Sequence, residues 1–294
     1  MCGIAGLFLK DESLAPQLGT LLSDMLVTLT DRGPDSAGIA VYGAAQPGQA
    51  RLTVQSARPE ADFAALAPIA AAHDATLAVK STHAVLTLAD DRLEALREAV
   101  EAIPTIRVMS AGEAVEIYKE VGTPAEVVAR FGIRDMAGSH GVAHSRMATE
   151  SAVTTLGAHP FSTGPDQCLV HNGSLSNHNN LRRELVREGI RIETENDSEV
   201  AAAYLTGQMA RGAPLDKAMQ SALDDLDGFY TFVVGTKTGF GVLRDPIACK
   251  PAVLAETPQY VAFGSEYRAL VGLPGIETAK VWEPEPATVY FWER

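Results

Sequence analysis

A cysteine at position two is the first residue of this chain that invites chemistry. Met1 is expected to be removed when a small residue follows it, and Cys2 then carries both a thiol and a free α-amine. Their ordinary pKa values, ~8.5 and ~7.7–8.0, are close enough for the amine to accept the thiol proton at little cost. Nucleophile and base then share one residue. A second candidate is Asn172-Gly173 in LVHNGSLSN. A side-chain amide beside a glycine N–H can form an oxyanion hole, where one donor contributes ~2.7–4 kcal/mol of transition-state stabilisation. Arg146 in AHSRMATE and Asp197 in ENDSEV supply a cation with fork geometry and an anion, the pair needed to hold the carboxylate and ammonium of an amino acid. Each signal also has an ordinary meaning. A cysteine can simply be second, Asn-Gly is commonly a turn, and a lone Arg or Asp is commonly a surface ion pair or a helix cap.

Five histidines, His140, His144, His159, His171 and His178, crowd the middle of the chain. His140 and His144 are four apart, but the residues between them read as strand and lack the glutamate of a zinc-binding helix. Polar loop histidines are the expectation, with no metal. DRGPDSAG lacks the Gly-Lys-Ser/Thr of a phosphate loop, and no G-x-G-x-x-G follows the first strand.

The elements that must position these residues are legible from periodicity. CGIAGLFL reads as a buried strand, and Leu18, Leu21, Leu22, Met25 and Leu29 fall at helical spacing before Gly33-Pro34. SAGIAVYG reads as a second strand. Residues 49–110 follow the order β-α-β-β-α-β of a split, ferredoxin-like unit, although Pro68 interrupts the first of its helices. A strand and a short helix from Thr123-Pro124 come next. GVAHSRMATE and DQCLVHNGSLSN each read as a strand entering a loop. Two helices follow, the first with Asp197 and Ser198 as candidate caps, and then a run of strands. Strands and helices do not alternate regularly, which disfavours a doubly wound parallel sheet and fits two sheets with flanking helices better.

Composition agrees with an ordinary folded chain. It has 294 residues, 46% hydrophobic and 21% charged, and its net charge of −13 disfavours nucleic acid. No apolar run approaches the ~18 residues of a membrane span. Cys2, Cys168 and Cys249 form neither a metal spacing nor a disulfide framework, so a reducing, cytoplasmic setting is the expectation.

The motifs taken in order resemble the class II (N-terminal nucleophile) glutamine amidotransferase family. The series is Met-Cys2-Gly3-Ile4, Arg32-Gly33-Pro34-Asp35-Ser36-Ala37-Gly38, His144-Ser145-Arg146-Met147-Ala148-Thr149, Ala158-His159-Pro160-Phe161, His171-Asn172-Gly173 and Asp197-Ser198-Glu199. It continues with Asp227-Gly228-Phe229-Tyr230, Arg244-Asp245-Pro246 and Phe263-Gly264-Ser265-Glu266. Two positions depart from the family pattern: Met147 stands where tryptophan is common, and Glu150 where some members have histidine.

The resemblance implies an α+β fold, a four-layer αββα sandwich of the N-terminal-nucleophile hydrolase type. One domain over 1–294 would carry an inserted βαββαβ subdomain at 49–110. It implies glutamine hydrolysis: Cys2 attacks the side-chain amide, Asn172 and Gly173 hold the oxyanion, and a glutamyl thioester forms. Arg146, Asp197, Thr149 and His159 would bind substrate, and Arg32 would organise the loop beside the nucleophile. No cofactor or metal is expected in this chain.

Within the family, residues 144–185 look most like the separate amidotransferase subunit of glutamate-synthase-like complexes, in particular N-methylglutamate synthase (methylamine–glutamate N-methyltransferase) and its GlxB-type relatives. That likeness implies a hetero-oligomer. One partner would resemble the FMN/iron–sulfur part of glutamate synthase and another its glycine-rich C-terminal part, together receiving the ammonia. Two other readings compete: a non-hydrolytic assembly subunit, and a stand-alone hydrolase of γ-glutamyl amides. Removal of Met1 and dependence on partners discriminate among the three.

Overall fold

The computed structural model describes residues 2–148 and 152–294. In chain order the main elements are β1 (Gly3–Leu9), α1 (Leu18–Thr28), β2 (Ser36–Tyr42), β3 (Gln49–Ser56), α2 (Pro59–Ala72), β4 (Thr76–Lys80), β5 (His83–Ala89), α3 (Leu93–Glu101), β6 (Ile106–Gly112), β7 (Val115–Val121), α4 (Pro124–Phe131) and β8 (His140–Arg146). They continue with β9 (Cys168–Leu175), α5 (His178–Arg187), α6 (Asp197–Ala210), α7 (Leu215–Asp225), β10 (Gly228–Gly235), β11 (Gly239–Arg244), β12 (Val253–Glu256), β13 (Tyr260–Gly264), β14 (Lys280–Trp282) and β15 (Thr288–Glu293).

Strand β1 shows how the layers arise. Its side chains alternate with period two. Ala5, Leu7 and Leu9 pack with Leu18, Leu22 and Met25 of α1 and Phe131 of α4. Ile4 and Phe8 point the other way, onto Val170, Val233, Phe240 and Val242. The first sheet therefore has two apolar faces, one covered by helices and one by a second sheet. Its order is β14-β12-β13-β1-β8-β2-β7, and that of the second is β15-β11-β10-β9. The outer face of the second sheet packs on α6 and α7 through Val200, Leu205, Met219 and Ala222. The result is the four-layer αββα sandwich.

Residues 49–112 build a third sheet, β4-β5-β3-β6, antiparallel throughout. Helices α2 and α3 cover it, and Leu52, Val54, Phe63, Leu66, Leu86, Leu96 and Val100 form its separate core. Helix α2 runs through Pro68. Both Pro68 and Ala64, whose carbonyl loses its partner, lie on the exposed face, where that group is open to solvent. At the far end of β6, Gly112 has φ +153°, and the Asp166 carboxylate accepts the N–H groups of Glu113, Ala114 and Val115 at 2.8, 2.8 and 3.1 Å.

Among the described residues no helix is long and apolar enough to cross a membrane.

Candidate active site

Cys2 stands just before β1, at the end of the central strand pair β1–β8. Close packing fixes it there. A Cβ on Gly3 would lie 2.7 Å from Ser145 Oγ and 2.9 Å from Leu29 Cβ. The next turn of the chain is tied down reciprocally: Ile4 N donates to Ser265 Oγ at 2.9 Å, and Ser265 N donates to Ile4 O at 2.9 Å. The Cys2 carbonyl accepts two further bonds, from Arg32 Nε at 3.0 Å and Asn172 Nδ2 at 3.2 Å. Arg32 is in turn held by Glu266, 2.5 Å from its Nη1. The guanidinium keeps the Glu266 carboxyl below the usual carboxylate range. Arg32 thus fixes the backbone of Cys2, whose thiol remains partly accessible.

Asn172 and Gly173 arrive on β9, beside β10. An amide nitrogen carries two hydrogens, so Asn172 can hold the Cys2 carbonyl with one and present the other. Gly173 has φ +151°, roughly 70° of rotation from an ordinary antiparallel strand. Only glycine fits: a Cβ there would meet Phe229 O at 2.0 Å and Tyr230 Cα at 2.7 Å.

Arg146 closes β8 and is buried. Its Nη1 donates to Ala152 O at 3.3 Å. Asp35 orders the strand end, its N–H donating to Arg146 O at 3.1 Å and its carboxylate accepting Ala148 N at 2.8 Å. Asp197 is the first residue of α6, and the cap is Asn196, whose side chain accepts Ser198 N at 2.9 Å. Asp197 and Ser198 are therefore not the caps that the sequence suggested. The Asp197 carboxylate instead reaches across to β9, accepting Leu175 N at 2.9 Å. Its other oxygen lies 3.3 Å from Ser198 Oγ and 3.7 Å from His171 Nδ1.

Cys2, Arg146, Asn172, Gly173 and Asp197 line one cavity of about 650 Å³, with His159, His171, Ser198 and Lys250 also on its wall. That volume suits a small amino acid or a somewhat larger ligand. Thr149 lies outside the described residues, as does Met1.

The histidines correct the expectation of polar loops. His140, His144, His159 and His171 are buried; three of them sit on β8 or β9, and His178 opens α5. Burial, above all, pushes the imidazoles of His140 and His144 down to about 3 and that of His159 well below its ordinary value. They are neutral at pH 7. The His144 and His159 rings lie 4.1 Å apart, tilted by 32°. His159 Nε2 and His171 Nδ1 lie 2.7 and 2.9 Å from Ser198 Oγ. A hydroxyl has one proton. For Ser198 to donate to Asp197, both ring nitrogens must carry hydrogens and donate to Ser198. His159 lines the cavity and is linked to Asp197 through Ser198. No group of three His, Cys, Asp or Glu among the described residues is arranged to hold a metal ion.

Sequence reasoning missed His171 and Ser198 as parts of this network, although they adjoin Asn172 and Asp197. It also missed Lys250, which no local motif marks and which the chain delivers from the loop between β11 and β12.

A glutamine amidotransferase domain model matches residues 144–272. The chain is 71% identical over 296 residues to the glutamine amidotransferase-like protein GlxB of Rhizobium meliloti (strain 1021), covering all of this chain and 98% of that protein. It is 30% identical over 315 residues to a putative glutamine amidotransferase of Methanothermobacter thermautotrophicus, over the full length of both. Among solved structures, the glutamine phosphoribosylpyrophosphate amidotransferase of B. subtilis superposes with a TM-score of 0.64 at 18% identity. It covers 99% of this chain, which spans 47% of that one, and the likeness concerns the fold.

Proposed function

The chain belongs to the class II glutamine amidotransferases, and from that premise we propose that it is a glutaminase subunit that passes ammonia to a glutamate-synthase-like partner. The observation that carries this reading is the convergence of Cys2, Asn172, Gly173, Arg146 and Asp197 on one cavity. The Arg146 guanidinium takes the glutamine α-carboxylate, and Asp197 takes the α-ammonium. The two clamps direct the side-chain amide toward Cys2.

With Met1 removed, the Cys2 α-amine accepts the thiol proton as sulfur bonds to the amide carbon. The oxygen of the tetrahedral intermediate is held by Asn172 Nδ2 and Gly173 N–H. The α-ammonium returns its proton to the leaving nitrogen, the C–N bond breaks, and ammonia departs. Water then adds to the thioester with the amine again as base. The C–S bond breaks, glutamate leaves, and the thiol is restored. His144, His159 and His171, neutral and enclosed, hold position and take no proton in this sequence.

The proposed setting is an N-methylglutamate synthase (methylamine–glutamate N-methyltransferase) complex. Its FMN and iron–sulfur cluster belong to one partner subunit, and a glycine-rich subunit completes it. Support for this setting comes from the likeness of residues 144–185 to the amidotransferase subunits of such complexes and from the full-length identity to GlxB. The test is glutamate release from glutamine by the isolated chain and after reconstitution with those subunits, beside purification from the native source. Co-purification in a stable hetero-oligomer and stimulation by the partners are expected. Full activity in a lone monomer would replace this reading with a stand-alone hydrolase. No glutamate release by the processed chain in any combination would replace it with an assembly subunit.

A further inference from the structure

Strand β7 carries two charged residues in succession, Lys119 and Glu120, and both are buried. Neighbouring residues of a strand point to opposite faces. Here the two side chains reach the same loop from two directions. Lys119 Nζ donates to the carbonyls of Ala158, Pro160 and Leu156 at 2.8, 3.1 and 3.4 Å. Three acceptors match the three hydrogens of its protonated form, although burial lowers this amine to about 7. The ammonium also lies 4.4 Å from the ring centre of Phe161. On the other side, the Glu120 carboxylate accepts the Thr155 hydroxyl on one oxygen. Its second oxygen accepts the Thr82 hydroxyl at 2.7 Å and faces Arg130 Nη1 at 3.6 Å.

The gripped segment is a wall of the glutamine cavity: Thr154, Leu156, Gly157 and His159 line it. The fit is close. Gly38 pairs with Lys119 across β2–β7, and a Cβ on Gly38 would lie 2.1 Å from His159 O and 2.5 Å from Lys119 Cβ. The glycine of the Ser36-Ala37-Gly38 segment thus makes room for the same wall. Thr82 lies in the turn between β4 and β5, inside the third sheet. Glu120 therefore joins that sheet to the cavity wall through a single carboxylate.

We propose that Lys119 and Glu120 are positioning residues for substrate. They hold residues 155–160 in the shape that receives glutamine, and Glu120, through Thr82, makes that shape depend on the inserted sheet. Neither touches the reacting atoms. The inference rests on the glutaminase reading for its kinetic consequence but not for its structural one, and the two are measured separately.

The structural measurement is amide hydrogen exchange of the peptide spanning residues 152–160. The kinetic one is KM and kcat for glutamate release. Thr155→Val removes one anchor at a partly buried hydroxyl. It is expected to speed exchange in that peptide and to raise KM about three- to tenfold, the loss of one hydrogen bond, while kcat changes less. Thr155→Ser keeps the hydroxyl and should restore both readouts. Thr82→Val should speed exchange in the same peptide from the other side of Glu120. Lys119→Met should act in the same direction and more strongly. If Lys119→Met does not fold, the two Thr155 variants decide. Unchanged exchange and unchanged KM in Thr155→Val would overturn the proposal, as would Thr155→Ser behaving like Thr155→Val. A wild-type chain that releases no glutamate would remove the glutaminase reading, and exchange alone would then decide the anchoring.

Discussion

Acid should unfold this protein well above the pH at which its carboxylates titrate, because of its buried histidines. Burial first, then neighbouring positive charge in the case of His83 and His144, holds His83, His140 and His144 down to about 3. In the unfolded chain each returns to about 6.5. Above pH 6.5 neither state binds the extra proton, and stability is full. Below it the unfolded chain takes up protons that the folded rings refuse until about pH 3. Stability is therefore lost as pH falls from about 6.5 toward 3. At pH 5 the loss is about 2 kcal/mol for each of the three, and about 6 kcal/mol together. His159 and His171 are also lowered and add in the same direction. A loss of that size is comparable with the whole stability of a typical domain, about 5–15 kcal/mol. The assay is thermal unfolding by circular dichroism at pH 7.5, 6 and 5. Tm should fall by more than about 10 °C between the first and the last. His83→Phe puts an apolar ring against Tyr118 and Phe131, where His83 now packs, and should reduce the loss by about 2 kcal/mol. Equal Tm at pH 7.5 and 5, or a pH response untouched by His83→Phe, would refute the reasoning.

Other expectations follow from the site. Asn172→Ala should lower kcat about 10²- to 10³-fold with little change in Tm, as for loss of one oxyanion donor, measured by steady-state glutamate release. Asp197→Asn and Arg146→Gln should each raise KM for glutamine about ten- to a hundredfold, since each removes a charge-assisted contact of about 1.5–3 kcal/mol; competition by glutamate and by substrate analogues lacking one charged group would show which end each residue holds. Ser198→Ala leaves His159 Nε2 and His171 Nδ1 without their shared partner, at about 1–3 kcal/mol for each buried group. It should therefore lower Tm measurably and raise KM through Asp197; an unchanged Tm would mean that the hydroxyl does not organise the pair.

The five residues placed on the cavity were legible because each belongs to a short motif whose local chemistry is specific. Gly173 is an example: a strand glycine beside an asparagine signals a special backbone, and the structure gives it φ +151° against a neighbour that admits no Cβ. The layering was legible too, because the alternation in β1 requires two different apolar partners. What the sequence hid was set by tertiary burial. A histidine reads the same on a loop as in the buried interior, so His144, His159 and His171 read as polar loop residues. Lys119 and Glu120 carry no motif of their own, and only the returning segment at 155–160 encloses them. Asp197 looked like a cap because Asn196, one residue earlier, offers the same side-chain chemistry. Lys250 reaches the cavity from the loop between β11 and β12, where no local pattern announces it.

The central claim is that Cys2, as the mature N-terminal residue, is the nucleophile. The direct measurement is the initial rate of glutamate release from glutamine by the chain whose mass shows Met1 removed, beside Cys2→Ala and beside a chain that retains one residue before Cys2. Release by the first alone, with a glutamyl adduct trapped on Cys2 and absent from the alanine variant, is the expected result. Glutamate release by Cys2→Ala at the wild-type rate would contradict it.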